Sequence, residues 1–405
     1  MDVRSRNAPF PPDHWRMHVK RTACGCGFLL ASLMAAGCSS LEKPPSVAAS
    51  PAATPQAADA RVERLVRDTI GIDAHNHVDV PLVAAELPGP AVDLAGELDR
   101  SGLSAIGMTF AVDYQPLTHD GEAFDRFLTG MQAMDGILLA NHASRALDAE
   151  DLRSAHQQHR PIVIQAVEGC HFLEGRIERL KVAYDHGLRH LGLLHDSDAS
   201  VPLGDVYTNP PRWGGLTAFG AAVVRECERL GILIDLAHGD DRTVDMVLRI
   251  ATRPVIISHT GLDTQLGGNP KFAQMMRPRL ISAATARKVA AAGGVICVWT
   301  HLAETPMEYA QNIRALVAVA GIDHVALGTD TKLTLPYRPP TDPRGQGGFR
   351  GDHVGERTGR AWKDQQVGFY HAVVAALLQT GFSDEEIAKI GGGNYLRVFA
   401  AATGR

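Results

Sequence analysis

The stretch GILIDLAHGDDRTVDMVLRIATRPVIISH, residues 231–259, contains one complete unit of the fold that the sequence predicts. Two short apolar runs, 232–238 and 254–259, are typical of buried parallel strands, and the segment 241–250 between them has the apolar spacing of a helix. Each run ends in a histidine. The stretch therefore predicts a strand–helix–strand unit with a metal-binding or catalytic type of side chain at both strand ends.

The same alternation of strands and helices continues in both directions along the chain. We predict eight strands, at 69–78, 104–110, 161–168, 188–195, 232–238, 254–259, 294–300 and 324–330. Helical patterns lie between them, among others at 219–230, 241–250, 283–292 and 307–320. Eight such units favour a single (β/α)8 TIM barrel with inserted loops. A doubly wound open sheet is the alternative, although no GxGxxG motif follows the first strand.

Imidazole and carboxylate side chains end most of the predicted strands. In chain order the strand ends carry His75/His77, Thr109/Asp113, Glu168, His195, His238, His259, Thr300/His301 and Asp330. Active sites of such barrels lie at the carboxyl ends of the strands, so these side chains should converge on one point. The placement of these histidines, out of 18 in the chain, therefore predicts a functional site.

A metal centre is the chemistry that these residue types favour. His75 and His77 are two positions apart, so on an extended strand they point to the same side and can bind one ion. Glu168 ends an apolar strand, where its carboxylate can bridge two ions; a salt bridge to a loop arginine is the alternative. His238 and His259 complete the predicted ligand set, because neutral imidazole is the commonest metal ligand.

Two further strand-end residues are predicted to act in catalysis. Asp330, at the end of the eighth predicted strand, is the candidate general base for the attacking water, and capping of a loop is the alternative. His195, at the end of the fourth, is the candidate hydrogen-bond donor that faces the substrate.

Several collinear segments resemble the membrane dipeptidase (renal dipeptidase) family, which are metal-dependent peptidases with an amidohydrolase-type barrel. The resemblance covers residues 61–399. It rests on DAHN (73–76), VEG (167–169), GLRHLGLLH (187–195), GLTAFG (215–220), LGILIDLAH (230–238), PVIISH (254–259), GIDHVALGTD (321–330) and GGNYLRVF (392–399). It implies that a metal-activated water hydrolyses the amide bond of small dipeptide-like substrates.

The resemblance also implies the metal ligands. His75 corresponds to a ligand of the first zinc ion, and Glu168 to the carboxylate that bridges both ions. His238 and His259 correspond to ligands of the second ion. We therefore expect two Zn²⁺ ions, with Mn²⁺ or Ni²⁺ as alternatives.

Roles toward the substrate follow from the same resemblance. Asp330 corresponds to the catalytic acid near the first ion, and His195 to the histidine that contacts the carbonyl oxygen of the substrate. Arg279 lies where the family has an arginine that binds the substrate carboxylate, a role that suits the two-pronged guanidinium. Arg277, two residues earlier, is the alternative.

One departure from the family pattern concerns the first strand. The family usually has His-x-Asp there, whereas this chain has His75-Asn76-His77, the pair found in many other amidohydrolases. A neutral imidazole in place of a carboxylate raises the formal charge of the site by one, which leaves the number and identity of the ions open. Residues 336–360, rich in glycine, proline and charge, are predicted to form a mobile loop at the rim.

Two other functions remain as alternatives. The His-x-His pair is compatible with another amidohydrolase-type reaction on the same barrel, such as hydrolysis of lactones, esters or N-acyl amino acids. A non-catalytic surface lipoprotein is the second alternative, but it predicts a broken ligand set, and every expected position carries a side chain that can bind metal. The net charge of −5 argues against binding of nucleic acid. The oligomeric state is left open, with a homodimer as one alternative.

The first 60 residues are predicted to lie outside the barrel domain, which we place at 61–405. Residues 1–37 are typical of a lipoprotein signal peptide, because a short apolar run is followed by small residues and then by Cys38. Ordinary secretion is the alternative, and Met17 as well as Met1 is a candidate start. Residues 38–60, rich in proline, alanine and serine, predict a disordered tether.

These features predict the cellular location. A lipid attached to Cys38 would anchor the protein in a bacterial membrane, and the tether would hold the domain away from the bilayer. We therefore expect an exported, membrane-anchored lipoprotein that faces the periplasm or the cell surface.

Overall fold

Eight parallel strands form a closed barrel in the computed structural model of this protein, which describes residues 55–338, 340, 348–349 and 353–404. The strands, including four short ones outside the barrel wall, are β1 Ile72–His77, β2 Ala105–Thr109, β3 Ser144–Arg145, β4 Ile162–Val167, β5 His190–Gly192, β6 Leu233–Asp235, β7 Ile256–Thr260, β8 Val295–Val298, β9 Val325–Leu327, β10 Thr331–Lys332, β11 Tyr337–Arg338 and β12 Gly348–Phe349.

The order of the strands closes the barrel. The sheet runs β1-β2-β4-β5-β6-β7-β8-β9, and β9 pairs with β1 through Asp73 and Leu327. β3 pairs beside β4, and β10 continues beside β1. Because the last strand returns to the first, the (β/α)8 prediction is confirmed and a doubly wound open sheet is wrong. Seven of the eight predicted segments contain a whole barrel strand, and β7 extends one residue beyond its predicted end; every strand is shorter than its prediction.

Helices follow the strands around the barrel. They are α1 Pro55–Asp68, α2 Leu94–Ser101, α3 Glu122–Ala140, α4 Ala149–Gln157, α5 Arg179–Asp185, α6 Ala218–Leu230, α7 Asp241–Ile250, α8 Pro270–Met276, α9 Ala283–Ala291, α10 Pro306–Ala320, α11 Phe369–Gln379, α12 Asp384–Ala388 and α13 Asn394–Thr403.

Local capping sets the ends of the predicted helices. Before α7, the Asp240 side chain accepts a hydrogen bond from the Thr243 amide, a cap that contributes about 1 kcal/mol. The Thr217 side chain caps α6 in the same way, and Gly231 ends that helix in the left-handed conformation that glycine adopts without strain. The helices at 218–230 and 241–250 therefore lie within one residue of their predicted bounds.

The core fills both sides of the strands. On β4, Ile162 and Ile164 belong to a buried cluster with Tyr395 and Phe399 of α13. The residue between them, Val163, belongs to the larger cluster that contains most of the helix side chains. This alternation follows from the two-residue period of a strand. A barrel that is packed on both faces leaves only its ends for chemistry.

The amino-terminal part of the described chain is helical. α1 begins at Pro55, so its first six residues fall inside the segment 38–60 that the sequence predicts as a tether. Leu65 of this helix is buried against the domain, which gives the helix a packed face. The predicted signal peptide and Cys38 lie outside the described residues. Within the described part of the chain, every helix is too short or too polar to span a bilayer.

The predicted rim loop is described in part. Its described residues include the antiparallel pair of β11 and β12, in which Tyr337 faces Phe349 across the ladder. Residues 339, 341–347 and 350–352 lie outside the described residues. The mobility and role of the loop therefore remain predictions.

Candidate metal centre

The strand-end residues that the sequence singles out lie together at the carboxyl end of the barrel. His77 ends β1, Glu168 directly follows β4, and His259 lies near the end of β7. His195, His238 and Asp330 each lie three residues beyond a strand, after β5, β6 and β9. Three overlapping groups have ligand atoms close enough to hold an ion: His75/His259/Asp330, His75/His77/Glu168 and Glu168/His195/His238.

One half of the site is formed by β1 and the turn after β9. The Nε2 atoms of His75 and His77 are 3.2 Å apart, so the two rings point to one place as the His-x-His spacing predicts. Oδ1 of Asp330 lies 3.2 Å from Nε2 of His77 and 3.7 Å from Nε2 of His75. Two imidazoles and a carboxylate thus face a common point.

The other half is formed by the ends of β6 and β7. Nε2 of His238 and Nε2 of His259 are 2.9 Å apart. Oε1 of Glu168 lies 2.8 Å from the His238 nitrogen and 3.6 Å from the His259 nitrogen. The same oxygen is 3.5 Å from Nε2 of His75 in the first half. Glu168 therefore lies between the two halves and contacts both.

The outer ring nitrogens of the histidines have their own partners. Nδ1 of His77 hydrogen-bonds to the Tyr114 hydroxyl at 3.0 Å, and Nδ1 of His259 hydrogen-bonds to the Ser258 hydroxyl at 2.9 Å. Where the hydroxyl accepts from Nδ1, the lone pair of Nε2 faces the site and can bind a metal ion. The Nε2 atoms of each pair, about 3 Å apart, are close enough to bind one ion together.

The chemistry of Glu168 also fits a bound cation. Its side chain is only 4% exposed, and Oε2 has no hydrogen-bond partner among the described residues. Burial would raise the pKa of this carboxyl, but the imidazoles of His195 and His75 and the hydrogen bond with His238 hold the pKa well below its usual range. A buried, ionised oxygen without a partner is costly unless positive charge lies beside it.

Electrostatics around His238 point the same way. Burial would lower the pKa of His238, yet the carboxylates of Asp196 and Glu168 outweigh burial and raise the pKa to about 10. The pKa of His75 is lowered well below its usual value, first by burial and then by His259. Neutral imidazole therefore prevails at one position, and positive charge is favoured at the other. The donor set fits a metal centre.

Strained backbone positions two of these side chains. His238 has a φ of 67° and Asp330 a φ of 57°, in the left-handed region that residues other than glycine seldom adopt. The cost is about 1–2 kcal/mol per residue. In both cases the turn follows a barrel strand and brings the side chain back over the barrel mouth. Strain of this kind clusters at functional sites.

Two buried aspartates hold the ligand-bearing strands in register. Oδ1 of Asp73 accepts a 2.8 Å hydrogen bond from the amide of Thr329, next to Asp330, across the β1–β9 closure. Oδ1 of Asp235 accepts hydrogen bonds from the amides of Ala237 at 3.0 Å and Ser258 at 2.9 Å. These hydrogen bonds connect the turns that carry Asp330 and His238, and the strand that carries His259, to their neighbouring strands, and so they restrain the candidate site.

His195 lies at the edge of the centre and has a partner that the sequence does not reveal. Its Nε2 is 3.4 Å from Oε2 of Glu168, and its Nδ1 is 2.7 Å from Oδ1 of Asp113. From the sequence, Asp113 is recognised only as a residue beyond the second predicted strand. Because it lies four residues after β2 ends, no strand periodicity indicates where its side chain points.

Arg279 lies beside the second half of the site. Its guanidinium borders a cavity of about 350 Å³ that is also lined by Tyr207, His238 and His259. Nη2 of Arg279 contacts Oδ2 of Asp196 at 2.5 Å. Arg277, the alternative in the sequence, is exposed and lies outside the residues that line this cavity.

A second cavity opens on the other side of the centre. It also measures about 350 Å³ and begins at His77, Tyr114 and Asp330. Its wall contains the apolar side chains of Val80, Leu82, Val83 and Phe110. The two cavities thus leave space on both sides of the candidate site, one near β1 and one near Arg279.

Sequence reasoning assigned no role to four residues that contact the predicted site. They are Asp113, Tyr114, Asp196 and His301. Nε2 of His301 lies 2.9 Å from Oδ2 of Asp330. The only signal for His301 is its position just beyond the seventh predicted strand, and the signal for Asp196 is its place directly after His195. Their contacts depend on loops whose path the sequence pattern does not encode.

Comparison with known proteins identifies the family. A model described as membrane dipeptidase (peptidase family M19) matches residues 59–334. Among solved structures, an amidohydrolase from Pseudomonas aeruginosa is 21% identical with a TM-score of 0.67, covering 85% of this chain and 99% of that one. The probable dipeptidase PvdM from Pseudomonas aeruginosa is 18% identical with a TM-score of 0.67, covering 87% and 100%.

A third solved structure was determined with a substrate mimic. It is a metallo peptidase from Rhodobacter sphaeroides liganded with a phosphinate mimic of the dipeptide L-Ala-D-Ala, and it is 19% identical with a TM-score of 0.59, covering 83% of this chain and all of that one. At these identities the three structures show the shared fold. The family match spans more than half of the 405 residues, and it confirms the resemblance that the motifs indicate. The chain therefore belongs to the membrane dipeptidase family, peptidase family M19, and is a metal-dependent hydrolase of dipeptides.

Proposed function

We propose that the protein cleaves dipeptides at a centre of two divalent ions, and that the ions are zinc. The position of Glu168 carries this proposal, because its carboxylate lies between the His75/His77 pair and the His238/His259 pair. One carboxylate shared by two sets of imidazoles favours two neighbouring ions over one. Donor sets of imidazole and carboxylate suit Zn²⁺.

Asp330 is proposed as the residue that moves protons. When bound, the ions would polarise the scissile carbonyl and make a water molecule nucleophilic near neutral pH. Asp330 accepts the proton of that water as the new carbon–oxygen bond forms, and it returns the proton to the amine when the carbon–nitrogen bond breaks. Its Oδ1 faces the site, while the contact of Oδ2 with His301 holds the carboxylate in this orientation.

His195 and Arg279 are proposed to bind the substrate. Nδ1 of His195 donates to Asp113, and although burial would lower the pKa of His195, Glu168 and Asp113 outweigh burial and raise it. The doubly protonated ring that this favours also carries a proton on Nε2, which can donate to the carbonyl oxygen as negative charge develops there. The guanidinium of Arg279 lies in the neighbouring cavity, where it can pair with the free carboxylate at the end of a dipeptide. These contacts favour short substrates, because a longer peptide has no carboxylate at this position.

Metal analysis of a Glu168 variant tests the proposal. We expect the purified protein to contain two zinc ions per chain and to lose dipeptide hydrolysis on treatment with a chelator. Glu168→Gln should reduce both metal content and activity, because the amide cannot supply the charge that two cations share. Glu150→Gln, on the exposed face of α4, is the matched control and should retain both. Full metal content in Glu168→Gln would refute the bridging role.

We also propose that the protein is exported and anchored through a lipid on Cys38. The proposal rests on the signal-like segment 1–37 and on the small residues that precede Cys38. Metabolic labelling with a radioactive fatty acid should mark the wild-type protein and leave Cys38→Ser unlabelled. Cys170→Ser, which changes a buried cysteine of the barrel, is the control that should remain labelled. Labelling of Cys38→Ser would place the lipid elsewhere.

A further inference from the structure

The proposed carboxylate-binding residue, Arg279, already has a carboxylate partner within the chain. Nη2 of Arg279 lies 2.5 Å from Oδ2 of Asp196. An aspartate paired with a guanidinium carries a negative charge at neutral pH. Asp196 therefore pairs with the same guanidinium that would bind the carboxylate of a substrate.

Several contacts hold this pair in place. Oδ1 of Asp196 lies 3.1 Å from Nδ1 of His238, and its backbone carbonyl accepts a hydrogen bond from the Thr208 hydroxyl at 3.2 Å. The backbone carbonyl of Arg279 accepts a hydrogen bond from the Thr260 hydroxyl at 2.9 Å. The guanidinium lies 5.9 Å from the centre of the Tyr207 ring. Both ends of the ion pair are thus anchored to elements of the site, unlike those of a loose surface pair.

A ligand can nevertheless reach the pair. The side chain of Arg279 is 24% exposed and that of Asp196 is 41% exposed, and Arg279 borders the open cavity beside His238. An incoming carboxylate that binds the guanidinium through two parallel hydrogen bonds involving Nη2 must displace Oδ2 of Asp196. The exchange replaces one carboxylate by another, so it gains less free energy than binding to a guanidinium without a partner. Because Asp196 is part of the same chain, it competes at every substrate concentration.

We propose that Asp196 is a specificity-determining residue that lowers the preference of this enzyme for substrates with a free carboxylate. The inference rests on the proposed role of Arg279. A dipeptide must displace Asp196 to use the guanidinium, whereas a dipeptide whose carboxyl end is a neutral amide does not. The enzyme therefore accepts small amide-capped substrates alongside free dipeptides.

Substitution of Asp196 by asparagine separates these effects. Asparagine keeps the size of the side chain, and its carbonyl oxygen can still accept a hydrogen bond from Nδ1 of His238. Steady-state kinetics would be measured with one dipeptide and with its carboxyl-terminal amide. For Asp196→Asn we expect the KM of the free dipeptide to fall by about threefold to fivefold, the size that a half-exposed ion pair gives. The KM of the amide should stay near the wild-type value.

Two further variants make the test specific. Asp245→Asn removes the same charge from a half-exposed pair with Lys288, between α7 and α9, and should leave both KM values unchanged. In an Arg279→Ala background, Asp196→Asn should no longer improve binding of the free dipeptide, because the competition needs the guanidinium. Metal content is measured for every variant, and Asp196→Ser provides a second neutral side chain if asparagine perturbs His238.

The outcomes distinguish this proposal from the proposed function. If Arg279→Ala does not change the ratio of the two KM values, then Arg279 does not bind the carboxylate and the proposed function is wrong on this point. If Arg279→Ala changes the ratio but neither neutral variant of Asp196 lowers the KM of the free dipeptide, only the inference about Asp196 is overturned. Equal changes in the KM values of both substrates would show that Asp196 acts through His238, and this result would also overturn the inference about Asp196.

Discussion

The carboxylate of Asp113 accepts a 2.7 Å hydrogen bond from Nδ1 of His195, and this contact determines which nitrogen of the ring faces the candidate site. Asp113 is itself well held, because the Ser197 hydroxyl donates to it and His171 lies 3.4 Å away. Its side chain is 5% exposed. A buried carboxylate behind an imidazole is a common device for orienting a ring.

We predict that Asp113→Asn lowers kcat for dipeptides by about 10- to 100-fold, as loss of an orienting partner commonly does. The neutral amide removes a charge that favours the doubly protonated ring, so Nε2 of His195 more often lacks the proton that it would donate to the carbonyl oxygen. Kinetics and metal analysis would be measured together, because the expected loss affects kcat while the metal content is retained. Asp125→Asn, on the exposed face of α3, is the control. Unchanged kcat would exclude an orienting role.

Asp330→Asn tests the proposed base. Since asparagine cannot accept the proton of the attacking water, we expect kcat to fall by about 10²- to 10⁴-fold. The imidazole and Glu168 donors remain, so the protein should still bind metal. Rescue of turnover by a small exogenous carboxylate would support proton transfer as the missing step. Near-normal turnover in Asp330→Asn would remove Asp330 from this role.

The close approach of β9 and β7 can be tested at Gly328, directly after β9. A Cβ atom at this position would lie 1.8 Å from the backbone oxygen of Ser258, so β9 and β7 must move apart in Gly328→Ala. We expect a loss of about 1–3 kcal/mol in the free energy of unfolding, together with lower activity, because Asp330 is two residues away. Chemical denaturation measures the first effect and dipeptide hydrolysis the second.

Gly136→Ala is the matched control for this substitution. Gly136 lies in α3, and a Cβ atom there has no neighbour within 4 Å. Alanine should therefore stabilise the helix by about 0.5–1 kcal/mol and leave activity intact. If Gly328→Ala were as stable as this control, close contact between β9 and β7 would not limit the fold.

We predict that Glu122 stabilises the folded protein to an extent that depends on pH. Burial would raise the pKa of this carboxyl, but hydrogen bonds from Thr118 and the charge of Arg126 lower it from 4.5 to about 2. A carboxyl whose pKa is depressed in the folded state stabilises that state above the unfolded pKa, and the contribution is lost as the pH falls through the folded value. The melting temperature of Glu122→Gln should therefore lie below that of wild type at pH 7.

The difference in melting temperature should shrink between about pH 4.5 and pH 2, where the carboxyl of the wild type becomes protonated. Thermal unfolding of both proteins at pH 7, 4 and 3 measures this trend. Glu150→Gln, at an exposed position of α4, should differ little from wild type at each pH. A constant difference across the range would show that charge on Glu122 does not contribute.

The sequence predicts the strands, and the positions of the candidate ligand residues at their ends, for a clear reason. In 231–259 the apolar runs, the helical spacing and the terminal histidines repeat a local pattern that alternates every few residues, and the structure contains β6, α7 and β7 there. Glu168 and Asp330 are predicted as site residues because each ends a predicted strand. The structure brings these residues together, as the convergence of strand ends in a barrel requires.

Contacts made by loops could not be predicted in the same way. Asp113 and His301 lie four and three residues beyond their strands, and such turns have no periodicity that fixes the direction of a side chain. The pairing of Asp196 with Arg279 joins residues 83 positions apart through two loops. The start of α1 at Pro55 was also missed, because its alanine-rich first turn resembles the tether that precedes it.

The amino-acid pattern alone therefore establishes the barrel, the family and the residues able to bind metal, since these follow from local periodicity and from residue type at strand ends. Two features depend on the closed barrel. They are the ring nitrogen of His195 that faces Glu168 and the ion pair between Asp196 and Arg279. Closure brings distant loops within hydrogen-bonding distance, and their geometry depends on backbone torsions such as the positive φ of His238 and Asp330. Those torsions are imposed by packing across the whole barrel rather than by neighbouring residues in the chain.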